Sequence, residues 1–139
     1  TELTELSCWY NKLTALDVSK NTELKWLHCY YNQLTALDVS KNTKLEFLGC
    51  HDNQLTALDV SKNTELIRLY CHQNQLTALD MSKNTKLILM DCYQNQIKVE
   101  AMDALVANLP TVSEGKLDVI YNENEGNIMR VSFMTKVLL

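Results

Sequence analysis

The nine residues Thr14–Thr22 read TALDVSKNT; the string returns unchanged at Thr35–Thr43 and Thr56–Thr64, and again at Thr77–Thr85 with Met81 in place of valine. The interval is 21 residues each time. Extending the match outward gives the unit L-x-x-L-x-C-x-x-N-x-L-T-A-L-D-V-S-K-N-T-x. In it Leu6, Cys8, Asn11, Leu13, Leu16 and Val18 recur as Leu27, Cys29, Asn32, Leu34, Leu37 and Val39, and the columns run on to Asn95 and Ile97. A fixed period of this length marks stacked copies of one supersecondary unit.

Within the unit, Leu6 and Cys8 alternate with polar or aromatic residues at 5, 7 and 9, the period of a strand that is half buried. Leu13-x-x-Leu16-x-Val18-x-x-Asn21 repeats that spacing. Extended or irregular chain is therefore expected on both sides of the coil, with little helix and a flattened, weakly curved stack. One unit buries too little apolar surface to fold alone, so stability must come from stacking. The chain carries three glycines and one proline, so it turns by another device.

The motif L-x-x-L-x-L-x-x-N-x-L, with cysteine in the third apolar place, resembles the leucine-rich-repeat signature. The unit is similar to the short 21-residue bacterial class whose second half reads L-x-x-L-D-L-x-x-N, and the match covers roughly residues 1 to 97. That resemblance implies a solenoid wound as a right-handed coil of parallel strands. It also implies a ligand-binding role without catalysis, on the bacterial cell surface or outside the cell.

Asn11, Asn32, Asn53, Asn74 and Asn95 stand where the chain leaves the strand. An amide donates and accepts, so this column is expected to satisfy turn backbone and to bond the asparagine one repeat away. Asn21, Asn42, Asn63 and Asn84 should close the other turn likewise. Cys8, Cys29, Cys50, Cys71 and Cys92 form one inward column. An odd number of thiols on parallel strands about 4.8 Å apart reads as small buried hydrophobes, not as a disulfide frame or a zinc site. Asp17, Asp38, Asp59 and Asp80, beside the repeated Ser19 and Lys20, read as a solvated face and not a calcium ladder.

Variation is concentrated on the outward positions of the first half-unit. Glu5, Trp26, Phe47, Arg68 and Leu89 form one column and Ser7, His28, Gly49, Tyr70 and Asp91 the next; then come Trp9, Tyr30, His51, His72 and Tyr93, followed by Tyr10, Tyr31, Asp52, Gln73 and Gln94. Eight of the ten aromatics and all three histidines lie there, whereas the copied face has hardly drifted. Rigid aromatics give contact area at small entropic cost. The candidate ligand-binding face is therefore Trp9, Tyr10, Trp26, His28, Tyr30, Tyr31, Phe47, His51, Arg68, Tyr70, His72 and Tyr93. Cross-strand stacking for stability is the alternative use of these rings. Five strands span ~300 Å² in projection, enough for a glycan or short peptide, or for part of a larger protein contact.

Other classes find little footing. The net charge of −4, with 13 basic residues spread along the chain, offers no block for a phosphate backbone, so nucleic acid is not expected. No apolar run is long enough to insert in a membrane, and residues 1–10 do not read as a signal peptide. Ser7 and His28 are neighbours, but Asp91 lies three strands beyond His28, about 14 Å away. No catalytic group, cofactor or metal is assigned; His51 and His72, adjacent in one column with Asp52 and Gln73 beside them, make a surface metal site conceivable, but none is expected.

After Asn95 the repeat gives way to IKVEAMDALVANLP, where Met102, Leu105, Val106 and Leu109 recur at helical spacing before Pro110. A helix over about 98–109 and a strand over about 117–121 are expected to cap the array, making 98–139 a C-terminal cap to the repeats of 1–97. Similar Leu-Pro segments close arrays in bacterial members of the class. The acidic turn NENEGN and the apolar tail MRVSFMTKVLL have no assigned pairing. Thr1 stands in the same repeat place as Thr22, so a preceding segment is expected, and the uncapped edge invites edge-to-edge self-association. The sequence thus points to a non-enzymatic module that binds protein or carbohydrate, with a structural spacer or stalk of a longer surface protein as the alternative.

Overall fold

The computed structural model describes residues 2–109 and the strands over 117–123 and 127–133. Each repeat contributes one three-residue strand: β1 (Glu5–Ser7), β2 (Trp26–His28), β3 (Phe47–Gly49), β4 (Arg68–Tyr70) and β5 (Leu89–Asp91). They pair in parallel with a shift of 21, as in Leu6↔Leu27 and Leu27↔Leu48. The helix α1 (Val99–Ala107) follows, then β6 (Leu117–Glu123) parallel to β5 and β7 (Asn127–Phe133) antiparallel to β6. Residues 129–133 of the apolar tail therefore pair with the cap strand. Residue 1, residues 110–116, residues 124–126 of the expected acidic turn and residues 134–139 lie outside the described residues.

The second half of each coil is turns and irregular chain with neither strand nor helix, so extended backbone there does not form a second sheet. Its apolar residues still point inward. Leu34, Val39, Leu45, Leu48 and Cys50 of one repeat are fully buried, and the same columns continue through Cys92 and Ile97. Leu105 of α1 joins this core, with Met102 and Leu109 packed partly against it. The helix is two residues shorter at its C-terminal end than the apolar spacing suggests.

The turning device is a left-handed residue in every coil. Tyr10, Tyr31, Asp52, Gln73 and Gln94 have φ between 49 and 58°. None is glycine, and the next residue is always the asparagine. Asn53 shows what that bend sets up: its Nδ2 donates to the Cys50 and His51 carbonyls of its own coil and to Cys29 O of the previous one, at 3.1–3.2 Å. Its Oδ1 accepts the Leu34 N–H at 2.9 Å. The amides of this column thus stitch coil to coil through backbone groups. Among the described residues none of them bonds the asparagine one repeat away, because the left-handed turn aims each amide at the cysteine and neighbouring carbonyls, whereas the second column does make that bond.

In the second turn, Asn63 Nδ2 donates to Val39 O and Asn42 O. The invariant Asp-x-Ser has a local cause, since each Asp Oδ1 accepts the Ser N–H two residues on, as Asp38 does from Ser40 at 2.9 Å. Hydrogen bonds from the serine hydroxyl and N–H together hold the Asp17, Asp38, Asp59 and Asp80 carboxyls below the usual range.

Left-handed backbone costs a residue with Cβ about 1 kcal/mol, least for asparagine. Gln73→Asn is expected to raise stability by about 0.5–1 kcal/mol, read as a higher melting temperature. An unchanged or lower melting temperature would count against strain at this position.

Candidate functional site

The sheet sets the outward residues of successive strands about 4.8 Å apart, close to aromatic stacking distance. Trp9, Tyr30, His51, His72 and Tyr93 accordingly form one column of nearly parallel rings. Their centroids are 5.6, 4.5, 4.2 and 4.4 Å apart in turn, with interplanar angles of 10–13°. Tyr10 and Tyr31 stand beside it, 4.9 Å apart and tilted. On the other side His28, Phe47 and Tyr70 follow one another at 4.6 and 5.5 Å. Gly49 makes room between these columns: a Cβ there would come within 3.1 Å of the Phe47 ring and 3.3 Å of Tyr30.

The expected face is not uniformly accessible. Trp9, Tyr10, Trp26 and Tyr31 are exposed, at 48, 71, 39 and 44%. Arg68 is exposed too; His28, Tyr30, Phe47, His51, Tyr70 and Tyr93 are half-buried, and His72 is buried. The exposed aromatics thus gather on the first two coils, and the later coils present imidazoles and carboxylates. A shallow groove runs past Tyr10, Lys12, Tyr31, Gln33, Asp52 and Gln73.

His51 Nδ1 lies 2.8 Å from Asp52 Oδ2. His72 Nε2 is 4.0 Å from the same oxygen, and its Nδ1 is 3.5 Å from Asp91 Oδ2. Burial, helped by the neighbouring His51, pushes the His72 imidazole down to about 4. Burial likewise raises the Asp91 carboxyl to about 6, although the Tyr93 backbone hydrogen bond opposes it. Both groups are kept toward their neutral forms. Sequence reading placed Asp52 and Asp91 in separate columns and so missed that the His72 ring lies between their carboxylates.

Ser7 and His28 occupy paired register positions, and Asp91 stands three strands further along that register, beside His72. These three residues do not assemble as a nucleophile, base and orienting acid. The five cysteines are reduced thiols on the inward side, and burial pushes Cys50 and Cys92 up to about 12. They are poor nucleophiles in that state. Among the described residues no helix is long and apolar enough to cross a membrane.

No protein-family model and no curated protein matches the sequence. Among solved structures, the chain is similar to the functional domain of InlJ from Listeria monocytogenes, which includes a cysteine ladder. Identity is 44% over 69% of this chain and 21% of that one, with a TM-score of 0.68. It is also similar to a leucine-rich-repeat protein from Leptospira interrogans, at 27% identity over 79% of this chain and 30% of that one, TM-score 0.72. The internalin InlF from Listeria monocytogenes is 26% identical over 81% of this chain and 35% of its own, TM-score 0.67. The chain therefore spans only 21–35% of the length of these three proteins. With its period of 21, its parallel strands and its inward Leu, Cys and Asn columns, the chain is a leucine-rich-repeat solenoid of the short class, and its structural neighbours are bacterial repeat proteins that include internalins.

Proposed function

We propose that this chain is a non-catalytic module that binds a protein through its strand face, with Trp9, Tyr10, Trp26 and Tyr31 as anchors and a site of action on or outside a bacterial cell. In this reading residues 1–97 supply the face and 98–139 close the array. The observation that carries it is the group of four exposed aromatics on adjacent coils, on a sheet whose opposite side is the packed core. Large amphipathic rings on a rigid scaffold are the side chains that dominate protein interfaces.

The stacking favours a protein over a sugar. A sugar ring packs its C–H groups on an open aromatic face, but Tyr30, His51 and His72 have both faces covered by neighbouring rings. They offer edges, hydroxyls and ring nitrogens instead, which suit peptide groups and side chains. The exposed Trp26 and Tyr31 supply the apolar anchors.

The test is a screen of the chain against arrays of extracellular proteins and of glycans, followed by affinity measurements on each hit. Trp26→Ala and Tyr31→Ala are each expected to weaken binding to a protein hit by about tenfold or more, with folding intact by circular dichroism. Unchanged binding combined with a lowered melting temperature would assign the rings to cross-strand stabilisation and favour a spacer. Binding confined to glycans would overturn the choice of ligand.

A further inference from the structure

We propose that His51, Asp52 and His72 form a binding site for a divalent transition-metal ion of the zinc type, with Asp91 orienting His72 from behind. One ligand atom from each of the three residues lies within 4.8 Å of the others. Two imidazole nitrogens and a carboxylate oxygen are the donor set of open zinc sites, which leave a further position to water or to a ligand.

The distances are near those a metal imposes. Tetrahedral ligands at bonds of about 2.0–2.1 Å stand roughly 3.4 Å from one another. Asp52 Oδ2 is 2.8 Å from His51 Nδ1 and 4.0 Å from His72 Nε2, so the first gap must open and the second close by about half an ångström, while the two imidazole donors, within 4.8 Å of each other, must also draw together. The imidazoles now lie stacked, 4.2 Å apart and 11° from parallel, with their in-plane lone pairs running side by side. Binding therefore requires the His51 ring to tilt, so that its donor and that of His72 meet at a shared point. His51 and Asp52 are half-buried at the edge of the face and can give that movement, while His72 stays fixed.

A second, independent observation comes from the other edge of the His72 ring. His72 Nδ1 and Asp91 Oδ1 are both buried without a hydrogen-bond partner, and each residue is only 8% exposed. Orphaned buried polar atoms cost stability and call for a reason. Metal ligation by His72 Nε2 would fix the proton on Nδ1, which then donates to the Asp91 carboxylate now 3.5 Å away. A carboxylate behind a ligating histidine is the usual outer support of such a site. The thiols are not competitors from this face, because Cys50 and Cys71 are fully buried on the inward side of the strands.

The experiment titrates the intact chain with Co²⁺ as optical probe and Zn²⁺ by calorimetry, in a phosphine reductant that keeps the cysteines reduced without chelating. One ion per chain is expected, with cobalt ligand-field bands and no intense sulfur-to-cobalt charge transfer. Asp52→Asn and His51→Gln should each weaken binding by at least about tenfold, and Asp91→Asn by about 10–100-fold. Asp52→Asn keeps the fold testable, since asparagine tolerates the left-handed backbone at this position. Zinc should raise the melting temperature of the wild-type chain more than that of Asp52→Asn at the same metal concentration. No binding at micromolar metal, affinity unchanged in both Asp52→Asn and His51→Gln, or a thiolate charge-transfer band would each overturn the assignment.

Discussion

Asn53→Ala is expected to destabilise the chain by about 2–4 kcal/mol in urea or thermal unfolding. The amide of Asn53 serves Cys29 O, Cys50 O, His51 O and the Leu34 N–H, two of those groups in its own coil and two in the preceding one. Removing it orphans the Leu34 N–H and takes one of two donors from each carbonyl, since Cys29 O keeps the Asn32 amide, Cys50 O keeps the Asn74 amide and His51 O keeps the Tyr31 N–H. Little solvent reaches these groups, because the coils leave Asn53 only 9% exposed. The orphaned N–H costs about 1–3 kcal/mol and each carbonyl's lost second bond about 0.5–1.5 kcal/mol, and partial relaxation or entry of water keeps the total below the simple sum. Asn53→Asp separates hydrogen bonding from packing. The new carboxylate retains the acceptor for Leu34 but faces three carbonyl oxygens without a proton to donate, so its folded pKa must lie above the unfolded value. The sign follows: the folded state binds more protons than the unfolded one between those two values, so the Asn53→Asp variant should gain stability as pH falls through that window and lose it as pH rises. A variant equally stable at pH 4 and pH 7 would show that the donated bonds are not what the column contributes.

The legible part of this molecule was whatever repeats. Leu6, Leu27, Leu48 and Leu69 declare a strand column because burial acts on every copy alike, and the parallel pairing follows from the period. The role of asparagine at a turn was legible too, but its partners were not. They depend on the left-handed bend at Tyr10, Tyr31, Asp52, Gln73 and Gln94, and no glycine marks that bend. A column of mixed residue types looks like free surface variation, and its backbone constraint is invisible in composition. The Asp-x-Ser hydrogen bond was open to inference from spacing, because an aspartate two residues before a serine is a common Asx turn. Accessibility within the aromatic columns could not be read. Whether a ring is an exposed anchor or a stacked, half-buried member depends on its neighbours: Trp9 and Tyr30 share a column yet differ in exposure. The approach of His72 to Asp91 joins adjacent columns on neighbouring strands, and a column-by-column reading keeps these apart.

Leu48→Ala should cost about 3–5 kcal/mol and should do so locally. Leu48 is fully buried in the central repeat strand, with Leu27 and Leu69 in register on either side. The missing methyl groups leave a cavity that the sheet cannot close without shifting the hydrogen-bonded strands. Leu48→Ile preserves volume and β-propensity and should cost less than about 1.5 kcal/mol. Location matters as much as size, because each coil contacts only its neighbours and stability is close to a sum of coil and interface contributions. Weakening the third coil therefore favours detachment of the first three coils from the last two, which retain the Leu105 side of α1 as cover. Amide exchange reads this directly. The Glu46 and Phe47 N–H groups, which donate to Lys25 O, should lose about a hundredfold or more of their protection. The Ile88 N–H, which donates to Ile67 O between the fourth and fifth coils, should lose far less. Equal losses at both places would mean that the array opens only as a whole, and the nearest-neighbour account of its stability would then fail.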